Sequence, residues 1–387
     1  MPAYLVISEV NGGQPILGSP VTGTQLSSIK RQRSVPQELE AAVATILTRL
    51  EAAKRPVAIL THLVSRYGVR DQALAFLAKA NLPTAVTPND KGTMDEGMPQ
   101  FIGLNAGRLS SSDAVSVLVS NADLVIDIGG IVTTELNTGF WTGHYDPAVV
   151  VSINDNWVRV GEKVFVNVAL EDVLKALTER VSIRCADHGL TLKPSDLVGS
   201  AEDPIGSACF YPRLQRRLRA GDTVVIETGT CMTHLNKVLL PAGVTAEGQG
   251  LWGSIGWATP ACLGVAMAKT SGHTWMVTGD GSHQLTLNEI AVMGRYGIKP
   301  RIFVLNNGLF GIEDVISERG HGYDDLAQVN YHLLPEAFGC KNWLTARVAP
   351  ASTLALCRSR SCSIDGLSGC FSGLATSVMS MPPTRLM

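Results

Sequence analysis

The sequence has 387 residues and a mass of 41.2 kDa, a length that suggests two domains or one large two-part α/β protein. Hydrophobic residues make up 45% of the chain and charged residues 17%, which excludes an intrinsically disordered protein. The 32 Lys and Arg residues against 34 Asp and Glu residues leave a formal charge of -2. A basic surface for nucleic-acid binding is therefore not expected.

Targeting and cysteine patterns add little. No apolar run reaches the roughly 18 residues of a membrane span, and no basic segment leading into an apolar one follows Met1. We therefore predict a cytoplasmic protein that does not act at a membrane. The eight cysteines form no Cys-x-x-Cys pair, so neither a zinc site nor a disulfide framework is predicted.

Helices and strands alternate along residues 34–185, the first predicted unit. Its first helix begins at Ser34-Val35-Pro36 and keeps apolar residues at helical spacing up to Leu50. Strands are predicted at 56–61, 84–87, 123–128 and 148–153, and further helices at 73–80 and 171–180. Apolar strands separated by helices predict a doubly wound parallel sheet.

A second alternating unit covers residues 208–346, after a polar linker at 186–207 that is rich in Gly, Ser and Pro. Its strands are predicted at 223–228, 274–278 and 301–306, and its helices at 232–240, 260–268 and 286–296. Thr286 and Glu289 have the spacing of a capping box at the last of these helices. The predicted fold class is thus α/β, with two doubly wound parallel-sheet domains.

Residues 347–387 show neither helical nor strand periodicity. We predict an atypical, disordered tail there, of the kind that truncation or out-of-frame translation would give. The second unit is accordingly predicted to be incomplete.

Two polar motifs follow neighbouring strands of the second unit. Gly279-Asp280-Gly281-Ser282 ends one strand, and Asn306-Asn307 ends the next. The carboxyl ends of parallel strands meet at one edge of a sheet, where open α/β folds bind ligands. Asp280, Asn307 and the backbone oxygen of Leu309 would supply the oxygen ligands that Mg²⁺ prefers. Either motif alone is more often a turn, but together they favour a diphosphate and metal site.

This pair of motifs resembles the thiamine diphosphate fingerprint. The chain resembles the central and C-terminal domains of the thiamine-diphosphate-dependent 2-oxo acid decarboxylases, the pyruvate and indolepyruvate decarboxylase group. The resemblance extends from about residue 1 to about residue 346. The stretches that carry it are Glu227-Thr228-Gly229-Thr230, 251–261, 279–286 and 306–313.

The resemblance implies a site for thiamine diphosphate and Mg²⁺. The coenzyme-binding residues would be Thr228, Gly253, Ser254, Ile255, Gly279, Asp280, Gly281, Ser282, Asn307, Leu309, Phe310, Gly311 and Ile312. Among them, Asp280, Asn307 and Leu309 would bind the metal. Ile255 matches the bulky residue that bends the coenzyme, and the Gly253 carbonyl matches the acceptor for its aminopyrimidine.

Glu313 matches the catalytic glutamate of these enzymes, which handles decarboxylation and proton transfer. Such a group needs a partly desolvated pocket, and Leu309, Phe310 and Ile312 are its apolar neighbours. The alternative for an acid at a helix start is a solvated residue that interacts with the helix dipole.

The chain departs from the family at its beginning. Family members start with a pyrimidine-binding domain that supplies the glutamate activating the coenzyme, and no counterpart occurs in this sequence. Residues 1–33 are predicted to be the remnant of that domain and a linker. In the family the sites form between subunits of a homo-oligomer, a dimer or a tetramer. We therefore expect this chain alone to bind coenzyme weakly and to be weakly active or inactive.

The activity implied by the resemblance is the non-oxidative decarboxylation of a small 2-oxo acid, such as pyruvate or indolepyruvate, to an aldehyde and CO₂. Acetolactate synthase-like carboligation is one alternative, and a non-catalytic fragment that docks with a full-length subunit is another.

The first unit is predicted to be structural, because Asp127-Ile128-Gly129-Gly130 lacks the dinucleotide pattern Gly-x-Gly-x-x-Gly. His283 is the histidine nearest to the diphosphate motif.

Overall fold

Two α/β units, each built on one sheet, make up the computed structural model. It describes residues 33–143, 145–199, 205–317, 321–347 and 377–380. The predicted fold class is confirmed, since the first sheet is mostly parallel and the second is wholly parallel. None of the helices in these ranges is both long and apolar enough to cross a bilayer.

The first unit has a sheet of seven strands in the order β3-β2-β1-β4-β5-β6-β7. Its strands are β1 Pro56–Leu60, β2 Thr84–Val86, β3 Phe101–Leu104, β4 Leu124–Ile128, β5 Val150–Ile153, β6 Trp157–Val160 and β7 Lys163–Val166. Its helices are α1 Pro36–Ala52, α2 Leu63–Arg66, α3 Arg70–Ala80, α4 Asp113–Ser120 and α5 Leu170–Arg180, with 3₁₀ turns at Pro88–Asp90, Gly107–Leu109 and Pro147–Val149.

The antiparallel hairpin of β6 and β7 was not predicted from the sequence. Its two-residue turn begins at Gly161, which has a φ of +60°. Glycine adopts this conformation without steric cost, and two-residue hairpin turns depend on it. The hairpin closes one edge of the sheet, beyond the parallel strands.

Alternate residues of the central strand β1 contribute to two different cores. Ala58 and Leu60 pack in the core beneath α1, α3 and α5, whereas Val57 and Ile59 pack in the core beneath α4. Both faces of the sheet are therefore covered by helices, as a parallel sheet requires. The apolar strand runs in the sequence have this physical origin.

The second unit has a parallel sheet in the order β12-β13-β11-β10-β8-β9. Its strands are β8 Thr223–Ile226, β9 Thr245–Gly248, β10 Thr274–Gly279, β11 Arg301–Leu305, β12 Leu344–Arg347 and β13 Ser377–Ser380. Its helices are α6 Ser207–Arg217, α7 Thr230–Leu235, α8 Ala258–Ala268, α9 Asp280–Gln284, α10 Glu289–Tyr296, α11 Gly311–Ile316 and α12 Leu334–Ala337, with 3₁₀ turns at Gly322–Asp324 and Tyr331–Leu333.

The capping box predicted at the start of α10 is wrong. The helix begins at Glu289 after Asn288, and Asn288 makes no side-chain cap. The Thr286 hydroxyl instead donates to the Gly256 carbonyl at 2.8 Å. Thr286 is thus used to fasten a distant loop rather than the helix that follows it.

Buried polar contacts join the two units. Lys91 and Glu96 form an ion pair of 3.0 Å whose side chains are only 3% and 2% exposed. Lys91 Nζ also donates to the Val238 carbonyl at 2.8 Å, and Glu96 Oε2 accepts from the Leu240 N–H at 2.7 Å. Both partners therefore bind backbone of the second unit.

The predicted domain boundaries stay predictions. The described part of the linker, up to residue 199, contains no helix or strand, and α6 begins at Ser207. Residues 1–32 lie outside the described residues, as does most of the predicted tail. Within the tail, Ser377–Ser380 forms β13, which pairs with β11 and β12.

Candidate functional site

The candidate site lies where β8, β10 and β11 end. β10 pairs in parallel with both neighbours, and Gly279 is in register with Leu305. The residues that follow these strands therefore meet at one edge. Asp280 comes directly after β10, and Asn307 comes two residues after β11. The topology thus brings the two predicted motifs together.

Three polar groups converge between these strand ends. One terminal atom of the Asn307 amide lies 3.0 Å from Asp280 Oδ1 and 2.9 Å from the Leu309 carbonyl oxygen. Turned one way, the amide nitrogen donates to both oxygens. Turned the other way, the amide oxygen completes a set of three oxygens. In an octahedral Mg²⁺ site, with bonds of about 2.1 Å, neighbouring oxygens lie about 3 Å apart. The donor set therefore fits Mg²⁺.

The Asp280 side chain is held firmly for this role. The residue is 2% exposed, and Oδ2 accepts from the Gly308 N–H at 2.7 Å, which leaves Oδ1 for the cluster. Burial raises the pKa of Asp280 to about 6, although backbone N–H groups oppose that shift. A bound cation would favour the charged carboxylate and reverse the effect of burial. No group of three His, Cys, Asp or Glu side chains within the described ranges is arranged to hold a metal.

The segment around Asp324 fixes the loop that carries Leu309. The Phe310 N–H donates to the Asp324 carbonyl and the Leu326 N–H donates to the Gly308 carbonyl, both at 2.9 Å. Sequence reasoning missed this segment, because nothing in its residues shows that it pairs with a loop sixteen positions earlier.

The predicted turn of Gly279 to Ser282 forms the start of α9 and is largely buried. Gly281 faces Phe310, and a Cβ at Gly281 would overlap the Phe310 ring. Gly311 lies beside the Asn307 amide, because a Cβ there would come within 2.9 Å of Nδ2. These predicted residues therefore surround the oxygen cluster.

Gly253, Ser254 and Ile255 lie on a separate loop that runs from Gln249 to Ala258, the first residue of α8. We call residues 249–258 the coenzyme loop. The Thr228 hydroxyl donates to the Gln249 carbonyl at 2.6 Å and so fastens the start of this loop. Gly253 has a φ of +60°. Ile255 is 36% exposed and Trp252 is 78% exposed. Ile255, the bulky residue expected beneath the coenzyme, therefore lies at the surface of this chain.

The first unit also contacts the coenzyme loop. A Cβ at Gly250 would overlap Asn89 Oδ1, and a Cβ at Gly253 would contact Leu136 Cδ1. Asn89 is itself held through its N–H by Asn137 Oδ1 at 2.9 Å. The first unit therefore supports the loop from outside.

Ile312 and Glu313 lie in the first turn of α11. Glu313 is exposed, so the described residues do not close the apolar pocket that was expected around it. Its N–H donates to the Phe310 carbonyl at 3.0 Å. This bond ties the helix start to the loop of residues 306–310, which we call the metal-side loop. Whether Glu313 is catalytic stays a prediction.

His283 is buried in the core beside this site. It is 1% exposed, and its Nδ1 lies 2.9 Å from the Thr259 hydroxyl. Burial lowers the pKa of His283 to about 4. The imidazole is therefore neutral at neutral pH and serves packing and hydrogen bonding.

Fold and site together define a two-unit, doubly wound α/β protein with an oxygen-rich cluster at the strand ends of its second sheet. Two family models match the chain. Residues 43–180 match the thiamine pyrophosphate enzyme central domain, and residues 228–360 match the C-terminal TPP binding domain. The chain belongs to the thiamine pyrophosphate enzymes.

Relatives that match most of this chain are named pyruvate decarboxylases. The chain is 32% identical over 322 residues to pyruvate decarboxylase of Candida glabrata, covering 81% of this chain and 57% of the relative. It is 30% identical over 357 residues to pyruvate decarboxylase isozyme 3 of Saccharomyces cerevisiae, covering 90% and 62%. The chain thus spans about three fifths of the length of these relatives.

A solved structure from Mycobacterium smegmatis, described as a thiamin diphosphate-dependent enzyme, has the same fold. It superimposes with a TM-score of 0.67 at 22% identity and covers 95% of this chain and 68% of its own. At this identity the likeness concerns the fold alone.

Proposed function

We propose that this chain provides the part of a 2-oxo acid decarboxylase that binds thiamine diphosphate and Mg²⁺, the enzyme releasing an aldehyde and CO₂. The observation that carries the proposal is the convergence of Asp280 Oδ1, the Asn307 amide and the Leu309 carbonyl. Similarity to pyruvate decarboxylases at about 30% identity supports the reaction, and the family supports the coenzyme.

Each predicted residue has a place in this proposal. Thiamine diphosphate, when bound, supplies the nucleophilic carbon and the electron sink for cleavage beside a carbonyl. Asp280, Asn307 and Leu309 would hold Mg²⁺. The turn of Gly279 to Ser282, together with Thr228, would line the diphosphate. The remaining predicted contacts would come from Gly253, Ser254, Ile255, Phe310, Gly311 and Ile312.

Glu313 is proposed to hold and transfer the proton at the reacting carbon. A carboxyl group does this efficiently when its surroundings exclude water. Because Glu313 is exposed here, that exclusion would come from groups packed onto this edge in an assembled homo-oligomer. We propose such an assembly, a cytoplasmic location, and low or no turnover by this chain alone.

Coenzyme titration by isothermal calorimetry tests the site. Wild-type chain should bind thiamine diphosphate with Mg²⁺ present and lose binding with EDTA. Asp280→Ala should weaken binding by about tenfold or more, since it removes the only carboxylate of the cluster. Asp325→Asn, which changes an exposed neighbour, should bind as wild type does. Equal binding with Mg²⁺ and with EDTA would contradict the metal assignment.

Product analysis with pyruvate tests the reaction. Acetaldehyde from the loaded protein supports decarboxylation. Acetolactate instead would favour carboligation. Bound coenzyme without any product would favour a non-catalytic role.

A further inference from the structure

Glu227 is a fully buried acid that the proposed function does not use. It follows β8, which lies between β10 and β9 in the sheet, and its exposed fraction is 0%. Its own N–H donates to the Val277 carbonyl at 3.0 Å, which fixes its backbone at the strand ends. A buried carboxyl group is costly unless it is hydrogen-bonded, so its partners indicate what it does.

The partners of the Glu227 side chain are backbone N–H groups. Oε1 accepts from Thr228 at 3.1 Å and Oε2 accepts from Ala258 at 3.1 Å. The backbone N–H groups of Gly256 and Trp257 also act on this carboxyl group, and they lower a pKa that burial raises. Three of the four partners are the last residues of the coenzyme loop.

The coenzyme loop is therefore held at both ends by consecutive residues. Thr228 binds the carbonyl at its start, at Gln249, and Glu227 binds the N–H groups at its finish, around Ala258. Between these anchors lie Gly253, Ser254 and Ile255. The Thr286 hydroxyl adds a third contact, at the Gly256 carbonyl.

We propose that Glu227 is a positioning residue that sets the conformation of the coenzyme loop and thereby the affinity for thiamine diphosphate. The proposal rests on the proposed function for its ligand. An apolar residue would fill the space beneath the loop at lower cost, but it would leave the converging N–H groups without an acceptor. The carboxylate satisfies them together and fixes the loop through its backbone, whatever side chains the loop carries.

Glu227→Gln is the direct test. Glutamine keeps the shape but turns an NH₂ group toward N–H donors, so one anchor is lost. We expect binding of thiamine diphosphate with Mg²⁺ to weaken about tenfold to a hundredfold. Intrinsic tryptophan fluorescence, to which Trp252 and Trp257 of the coenzyme loop contribute, measures this binding. In coenzyme-free protein, hydrogen exchange in residues 249–258 should accelerate while β8 and β10 stay protected.

Two further variants bracket this result. Glu227→Asp keeps the charge but retracts it, so its effect should lie between those of wild type and Glu227→Gln, and it serves if the glutamine variant folds poorly. Glu247→Gln, on an exposed position of the neighbouring strand β9, should match wild type in both measurements.

The outcomes are distinct. Unchanged loop exchange and coenzyme affinity within about twofold of wild type in Glu227→Gln would overturn the proposal. So would faster exchange spread evenly over the second unit, which indicates a general structural role. If wild-type chain fails to bind coenzyme, the proposed function fails, and loop-confined exchange alone then decides whether Glu227 positions the loop.

Discussion

Buried carboxyl groups at strand ends are the most informative single residues of this chain. Asp127, the last residue but one of β4, is 5% exposed and accepts from the Gly130 N–H at 2.9 Å. Burial raises its pKa to about 6, as it does for Asp280. Both acids stabilise turns through backbone N–H groups. Asp127 thus stabilises the turn of its own motif, Asp127-Ile128-Gly129-Gly130, which lacks the dinucleotide-binding pattern.

The raised pKa of Asp127 predicts a pH-dependent stability. Its folded pKa of about 6 exceeds the ordinary aspartate pKa of 3.8, so the folded state binds the proton more tightly than the unfolded state does. This contribution is present below about pH 4 and is lost as the pH rises to about 6. Across that window, wild type should lose up to about 3 kcal/mol of unfolding free energy relative to Asp127→Asn.

Urea unfolding of both proteins at pH 4 and pH 7 measures this difference. Asp123→Asn serves as a control of opposite sign. Partial burial raises the pKa of Asp123, but the N–H groups of Arg55 and Lys54 outweigh it and lower the pKa overall. A wild-type to Asp127→Asn difference that is the same at both pH values would disprove the prediction.

The metal-side loop packs closely against α9 because Gly281 of α9 has no side chain. Gly281 leaves room for Phe310, whose N–H is bound by the Asp324 carbonyl. Leu309, the predicted carbonyl ligand, lies directly before Phe310. Close packing therefore links the diphosphate turn to the metal-side loop.

Gly281→Ala should disrupt this fit. The added Cβ would overlap the Phe310 ring and contact Leu326, at a cost of about 1–3 kcal/mol of stability. Because displacement of Phe310 moves Leu309, Mg²⁺-dependent coenzyme affinity should fall about tenfold. Gly264→Ala in α8 is the matched control, since its Cβ would meet nothing within 4 Å. It should stabilise the helix by up to about 1 kcal/mol. Thermal unfolding and calorimetric titration distinguish the two variants.

At the scale of the whole molecule, the two units contact each other through buried polar groups and close backbone packing. The Lys91–Glu96 pair binds the backbone at Val238 and Leu240. Gly92, with a φ of +78°, packs so closely on Ala246 that no Cβ would fit. Asn89 and Leu136 contact the coenzyme loop. The first unit thus helps to shape the candidate site without contributing a predicted coenzyme ligand.

Lys91→Met tests this coupling. Removing one partner leaves Glu96 charged and buried, which should cost about 3–5 kcal/mol. The double variant Lys91→Met with Glu96→Gln should recover part of that loss. Lys175→Met breaks an exposed pair with Glu171 and should cost less than about 0.5 kcal/mol. Chemical unfolding of the four proteins provides the values. A Lys91→Met cost no larger than that of Lys175→Met would show that the buried pair does not couple the units.

Local patterns in the sequence determined the alternating rhythm, the fold class and the edge at which the site lies. Apolar strand runs with intervening helices specify a parallel sheet covered on both faces, and parallel strands bring their carboxyl ends together. For this reason Asp280 and Asn307 could be paired from the sequence.

Tertiary structure decided what depends on distant partners. The β6–β7 hairpin, the early end of α7 at Leu235 and the true partner of Thr286 were not apparent from local propensity. Glu227 and Ala258 are 31 positions apart, and only the fold shows that one binds the other. A motif specifies which chemical groups reach an edge, whereas long-range hydrogen bonds and packing decide how each one is held.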